Sequence, residues 1–306
     1  MWPLPTAADA ESTTTKLVML HAIHTPIRRL IILLLALALL PAARAAARPP
    51  EPPLTLGFFP LVSTVALFKR FSPLKNYLSD QLGREVLLET AKDFPTFAQR
   101  TAERRYDIVI TAPHFAVRAI DSGSYRIYTA VTKDVQQLIV VRKDSPFRQP
   151  ADLAGKTIAT PPPGALMTMM GKDYLQQLGL SGERQPVYLP FLSHNAANAA
   201  VIAGQADAAI ASSNVIGKAL ERGAPLRIIG RGLQLPNMPT LVASDLPPEL
   251  GARIQAVLVG MSDNEAGRNV LARIGFPGYR PVSAADYEPA RPYAYRSTSG
   301  EVEERR

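Results

Sequence analysis

Three places in this 306-residue sequence hold residue types that could meet a small ligand. The stretch "IATPPPGALMTMM", residues 158–170, runs from β-branched residues through three prolines and a glycine into helix formers. Strand, tight loop and helix N-terminus, in that order, is where α/β proteins hold anions on backbone N–H groups. His194 stands in "SHNAAN", at the start of another helical pattern, with Asn195 and Asn198 close by. An imidazole in that position can donate to an oxyanion. His114 and Thr111 lie in "TAPH", directly after an apolar strand pattern. Each site has a plainer reading. The proline loop also fits a rigid connector, and both histidines fit helix N-terminal positions. Catalysis would need more than this. No G-x-S-x-G elbow, H-E-x-x-H or P-loop is present, and there are no cysteines. Two histidines without clustered carboxylates make a poor metal site. The chain therefore reads as a non-enzyme with no cofactor and no metal.

Positioning such groups needs a scaffold, and the chain is long enough for two compact domains. The segments "LTLGFFP" (54–60), "EVLLETA" (85–91), "YDIVITA" (106–112) and "YRIYTAVT" read as strands. Between them, 64–83 and 93–104 read as helices. In the first, Val65, Phe68, Leu74, Leu78 and Leu82 form the apolar stripe, Pro73 restarts the helix and Gly83 stops it. Asp93 is a candidate N-cap for the second. A second α/β set of similar size follows from 137 to about 239, then two helices and an irregular tail. The alternation predicts parallel sheets covered by helices. Asp107 and Asp207 hold parallel places, each leading into a strand, and read as turn residues.

The first fifty residues read as export rather than fold. Arg28 and Arg29 precede the apolar run 30–40, and "AARAAA" supplies small residues for cleavage. The run is too short to span a bilayer, which takes about 20 residues. Residues 1–47 are therefore a signal peptide with an over-long start, Met19 being a plausible initiator. The net charge of +8 fits attraction of anions as well as an ordinary solvated surface. No basic cluster interleaved with aromatics argues for nucleic acid.

The order of "LTLGFFP", "LSDQLGREV", "RRYDIVITAP", "KDSPFRQPADLAGKTIAT", "SHNAANAAVIAGQADAAIASSNV" and "VLARIGFPGYRPVSAADYEPAR" resembles the phosphate/phosphite/phosphonate-binding subunits of ABC importers, the PhnD type. The resemblance spans most of 54–293. It implies an α/β, type II periplasmic-binding fold, with two lobes joined by two crossing segments near 131–138 and 237–242. Lobe one is then 54–133 plus 241–293, lobe two 137–239, and 294–306 a flexible tail.

The resemblance also implies a ligand site, and here this chain departs from its pattern. The family's hydroxyl-rich anion loop falls on about Pro163, Gly164 and Ala165, which leaves backbone N–H groups of Gly164, Ala165 and Leu166 as donors. His194 matches a histidine that donates to the phosphonate. Phe94 stands for a tyrosine, while Asn214 and Met238 stand where an aminoalkylphosphonate binder carries carboxylates. Ser63, Thr64, Ser212 and Ser213 are the remaining cleft hydroxyls, each equally placed to cap a helix, with His114 and Thr111 beside them. A ligand amine would lack a counter-charge, so an oxyanion other than an aminoalkylphosphonate is expected. The expected role is a periplasmic, monomeric solute-binding protein that serves an ABC permease and binds no nucleic acid. A sensor feeding a membrane kinase, and an interaction protein with a degenerate cleft, stand as alternatives.

Overall fold

The structure is a computed structural model that describes residues 51–296. The signal-peptide reading of 1–47 lies outside the described residues, as do residues 297–306. Two sheets carry the fold. The first holds β1 (Leu54–Phe58), β2 (Val86–Glu89), β3 (Ile108–Ile110), β4 (Tyr125–Val131), β10 (Pro239–Ala243) and β11 (Tyr279–Pro281), in the order β11-β4-β10-β3-β1-β2. The second holds β5 (Val135–Arg142), β6 (Thr157–Thr160), β7 (Val187–Pro190), β8 (Ala208–Ser212) and β9 (Leu226–Leu235), in the order β7-β6-β8-β5-β9.

Each sheet is mixed rather than purely parallel. β1 runs parallel to β2 and β3, and β6 parallel to β7 and β8. β10 and β5 then pair antiparallel with β3 and β8. The reason is connectivity. The chain leaves the first sheet at β4, enters the second at β5, and returns from β9 to β10. Two three-residue links make these passages, 132–134 from β4 to β5 and 236–238 from β9 to β10.

The two aspartates do the same job in both sheets. Asp107 accepts hydrogen bonds from Thr55 N at 2.7 Å and Thr55 Oγ1 at 2.9 Å, while Asp207 accepts from Thr157 N at 2.9 Å. In return, the Asp107 and Asp207 N–H groups donate to the Thr55 and Thr157 carbonyls. Each carboxylate thus ties the start of one parallel strand to the residue leading into its neighbour.

A helix follows each parallel strand: α1 (Thr64–Leu82), α2 (Phe94–Ala102), α3 (Pro113–Asp121), α4 (Leu166–Gln177), α5 (His194–Ile202) and α6 (Ser213–Glu221). α1 departs from the sequence reading. It runs through Pro73 without restarting, and its buried face is Leu67, Phe71, Leu74, Tyr77, Leu78 and Leu82. Val65 is 80% exposed and Phe68 39%. An interior proline removes one N–H and costs about 3 kcal/mol. Burial of six large side chains, each about 1.5–3 kcal/mol, outweighs that. Gly83 closes α1 at φ 61°, as its position predicts.

α7 (Pro248–Val259) and α8 (Glu265–Ile274) pack on the first sheet's core. The stretch 284–294 is not irregular. A 3-10 turn at Ala284–Ala290 and the short α9 (Arg291–Ala294) bury Tyr287 and Tyr293 in a core shared with Val117 of α3 and Met170 of α4. Arg291 pairs with Asp121 at 2.6 Å, and Arg296 with Asp173 at 2.6 Å, so this segment touches α3 and α4 together. Among the described residues, no helix is long and apolar enough to cross a membrane.

Candidate functional site

The parallel strands bring three βα turns to the carboxyl edge of each sheet. At the first sheet these are residues 59–63, 90–93 and 111–112; at the second, 161–165, 191–193 and the β8–α6 junction. The start of α3 approaches the β6–α4 turn. The backbone of Gly164 comes up against the ring of His114, near enough to favour its protonation. It does not reach hydrogen-bond geometry, so both ring nitrogens of His114 stay unpartnered at 1% exposure. α3 starts at Pro113 without a side-chain cap, so His114 does not cap it. Its neighbour Thr111 is 1% exposed, donates its N–H to Pro239 O at 3.2 Å, and keeps an unpartnered hydroxyl.

The proline loop is tighter than its sequence suggests. Ala165 N donates to Pro162 O at 2.9 Å, so one of the three expected backbone donors is already engaged. Thr168 Oγ1 donates to Pro161 O at 3.1 Å and holds the turn from inside. The first helical bonds of α4 are those of Thr168 N and Met169 N to Ala165 O, so the amides of Leu166 and Met167 precede the hydrogen-bonded helix. Gly171 fixes where α4 points. A Cβ there would meet Ile210 Cγ2 at 2.6 Å, so glycine lets the helix lie close on β8.

His194 is the first residue of α5, but Ser193 caps the helix by accepting from Ala196 N at 3.1 Å. That leaves His194 Nδ1 buried without a partner, although part of the ring reaches the surface. Asn198, one turn on, is 5% exposed with an unpartnered Oδ1. Burial pushes the imidazole of His114 down to about 3 and that of His194 down to about 4. Arg118, one turn along α3, adds a smaller push in the same direction on His114. Both rings are neutral at pH 7, each with one donor and one acceptor nitrogen.

Other expected residues fall into different roles. Ser212 caps α6 through Val215 N at 3.4 Å, and Ser213 Oγ accepts from Gln136 N at 3.0 Å, fastening α6 to the first crossing. Asn214 keeps a buried, unpartnered Oδ1. Met238 lies in the second crossing, where its N–H donates to Asn237 Oδ1 at 2.9 Å and its side chain packs on the first core. Ser63 is the N-cap residue of α1 without a side-chain cap bond, and both it and Thr64 are exposed. No contact ties those two hydroxyls to His114 or Gly164.

Phe94 sits in company that the sequence reading missed. Its ring lies 6.0 Å from Phe59 and 5.9 Å from Phe115, and Phe115 lies 4.1 Å from His114. The three βα turns of the first sheet therefore share one aromatic row ending at the histidine. Gln137 was also missed. It is fully buried with both side-chain polar atoms unpartnered, and it occupies the space that a Cβ on Gly232 would need. Among the described residues, no group of three His, Cys, Asp or Glu could hold a metal ion.

A profile of the family described as "ABC transporter, phosphonate, periplasmic substrate-binding protein" matches residues 56–287. Among solved structures, XAC2383 from Xanthomonas citri bound to chloride ion is similar with a TM-score of 0.68 and 19% identity, over 81% of this chain and 99% of that one. PhnD1 from Prochlorococcus marinus, in complex with methylphosphonate, is similar with a TM-score of 0.67 and 18% identity, over 80% of this chain and 98% of that one. The periplasmic aliphatic sulphonate binding protein SsuA from Escherichia coli follows at 0.58 and 19%, over 83% and 89%. At these identities the likeness establishes the fold, a type II periplasmic-binding arrangement of two α/β halves.

Proposed function

We propose a ligand and a mode of capture that start from one fact: this chain belongs to the family of phosphonate ABC-transporter periplasmic substrate-binding proteins. As a non-enzymatic component of such a transporter, it works with a membrane permease. The ligand is a small oxyanion of the phosphate or phosphonate type, bound where α3 and α4 begin. The observation that carries this is a buried, unpartnered His114 at the start of α3, with the backbone of Gly164, two residues before α4, close to its ring. Helix N-termini favour negative charge by about 0.3–1 kcal/mol each, and more when partly buried. The neutral rings of His114 and His194 supply one N–H donor apiece. A methylphosphonate ligand in PhnD1 and an aliphatic sulphonate binder of like fold are consistent with this ligand class.

An aminoalkylphosphonate does not suit the same place. Asn214 and Met238 offer no carboxylate, and a desolvated ammonium without a counter-charge is costly. Binding shifts the lobes toward the closed form to the extent that the ligand prefers it, and that form is presented to the permease.

Thermal melts with phosphate, phosphite, methylphosphonate, aminoethylphosphonate and sulfate test the reading. A ligand at 100 times its dissociation constant stabilises by about 2.7 kcal/mol. A shift with methylphosphonate or phosphate and none with aminoethylphosphonate is expected. A larger shift with aminoethylphosphonate would refute the ligand class. The Ala165–Pro162 turn favours one second reading, a weakened seat, and no shift with any anion would support it.

A further inference from the structure

We infer that the ligand is an oxyanion bearing an uncharged apolar substituent, an aryl or branched alkyl group, held against Phe59, Phe94 and Phe115. The inference rests on the solute-binding reading above and sharpens it. The aromatic row runs along the carboxyl edge of the first sheet, with centroids 6.0 and 5.9 Å apart. Phe59 and Phe94 are only partly buried, so their rings have faces left to cover, while Phe115 is 6% exposed and stacks toward His114. The row therefore leads from an open end to the buried imidazole beside Gly164. An oxyanion placed at the imidazole end would direct its substituent along the rings.

The charge pattern points the same way. The six βα turns read FPLVS, TAKD, TA, PPPGA, FLS and the Ser212–Ser213 junction, and only Lys92 and Asp93 among them are charged. Those two face each other at 4.0 Å, and the Asp93 carboxylate accepts from Thr96 N to cap α2. The turns thus offer one charge of each sign, Lys92 and Asp93, set against each other, with Asp93 already capping α2. Arg118, on α3 one turn past His114, is the nearest cation identified, with a buried and unpartnered Nη1. A singly charged head with an apolar body matches this set. Apolar area taken out of water against the rings stabilises the complex, and a phenyl group offers several times the area of a methyl group.

Calorimetric titration of the purified protein with methylphosphonate and phenylphosphonate tests this, repeated on Phe94→Ala and Phe94→Leu. Phenylphosphonate is expected to bind at least tenfold tighter, and the ratio to fall below threefold in Phe94→Ala; Phe94→Leu reports in its place if the alanine variant melts early. Equal affinities, or tighter binding of methylphosphonate, would overturn the apolar-substituent claim while leaving oxyanion capture standing. A full preference kept in both variants would overturn the role of the aromatic row. No binding of either phosphonate would overturn the underlying oxyanion reading together with this inference.

Discussion

Acidification should destabilise this protein through two histidines. The sequence has four, and only His114 and His194 lie within the described residues. In the fold their protonation is held down to about 3 and about 4 by burial, against an ordinary value of 6.5. The unfolded chain takes up both protons near pH 6.5, whereas the folded chain does not. Stability is therefore fully present above about pH 6.5 and is lost as pH falls toward the folded values. Between pH 7 and pH 5 each fully buried histidine removes about 2 kcal/mol. His194 keeps some ring exposure, so for it this is a ceiling, and the pair removes roughly 3–4 kcal/mol. Exposed carboxylates such as Asp152 and Asp286 are held below their ordinary values and act mainly below about pH 5. Urea unfolding of the protein lacking residues 1–47 at pH 7, 6 and 5 reads the effect directly. A His114→Gln, His194→Gln double variant should show less than about a third of the wild-type loss. An equal loss in the double variant, or no loss in the wild type, would refute the assignment of neutral buried imidazoles.

Other perturbations probe the scaffold. Asp107→Ala should destabilise by about 1–3 kcal/mol in urea, and more than Asp207→Ala, because its carboxylate accepts two hydrogen bonds from Thr55 rather than one from Thr157; the reverse order would contradict the pinning role. Gly171→Ala should cost about 1–3 kcal/mol by pushing α4 off Ile210, and an unchanged urea midpoint would show that the helix is not held there. Tyr287→Phe removes the hydroxyl that donates to Asn237 O at 2.9 Å in the second crossing, and should lower stability by about 0.5–1.5 kcal/mol. A neutral or stabilising change would mean that this bond does not anchor the crossing.

Much of the fold was legible because local patterns and tertiary demands agree. The strands within "LTLGFF" and "DIVI" are apolar runs bounded by turns, and Asp93 sits where α2 needs a cap. The parallel places of Asp107 and Asp207 carry over into matched hydrogen bonds. α1 was misread at its start because Val65 and Phe68 look like core by composition, whereas the face toward β1 and β2 is set by Leu67 and Phe71. Periodicity cannot tell which of two overlapping stripes a sheet will cover. The stretch 284–294 was misread as irregular because Tyr287 and Tyr293 are buried only through contacts far away in sequence. His114 and the proline loop stand out in the sequence by their positions after strands. That Ala165 N–H is engaged by Pro162 O depends on turn geometry, which a run of three prolines does not specify. The aromatic row was hidden for a different reason. Phe59 follows β1, Phe94 opens α2 and Phe115 lies in the first turn of α3, so they become neighbours only when β2, β1 and β3 pair.

The central claim is that an oxyanion sits where α3 and α4 begin. A crystal structure of the protein grown with methylphosphonate tests it most directly. The phosphonate group is expected within hydrogen-bond reach of the Leu166 or Met167 amides and of a His114 or His194 ring nitrogen, with its methyl group toward Phe94. A phosphonate bound away from these two helix starts, or none bound at saturating concentration, would contradict it.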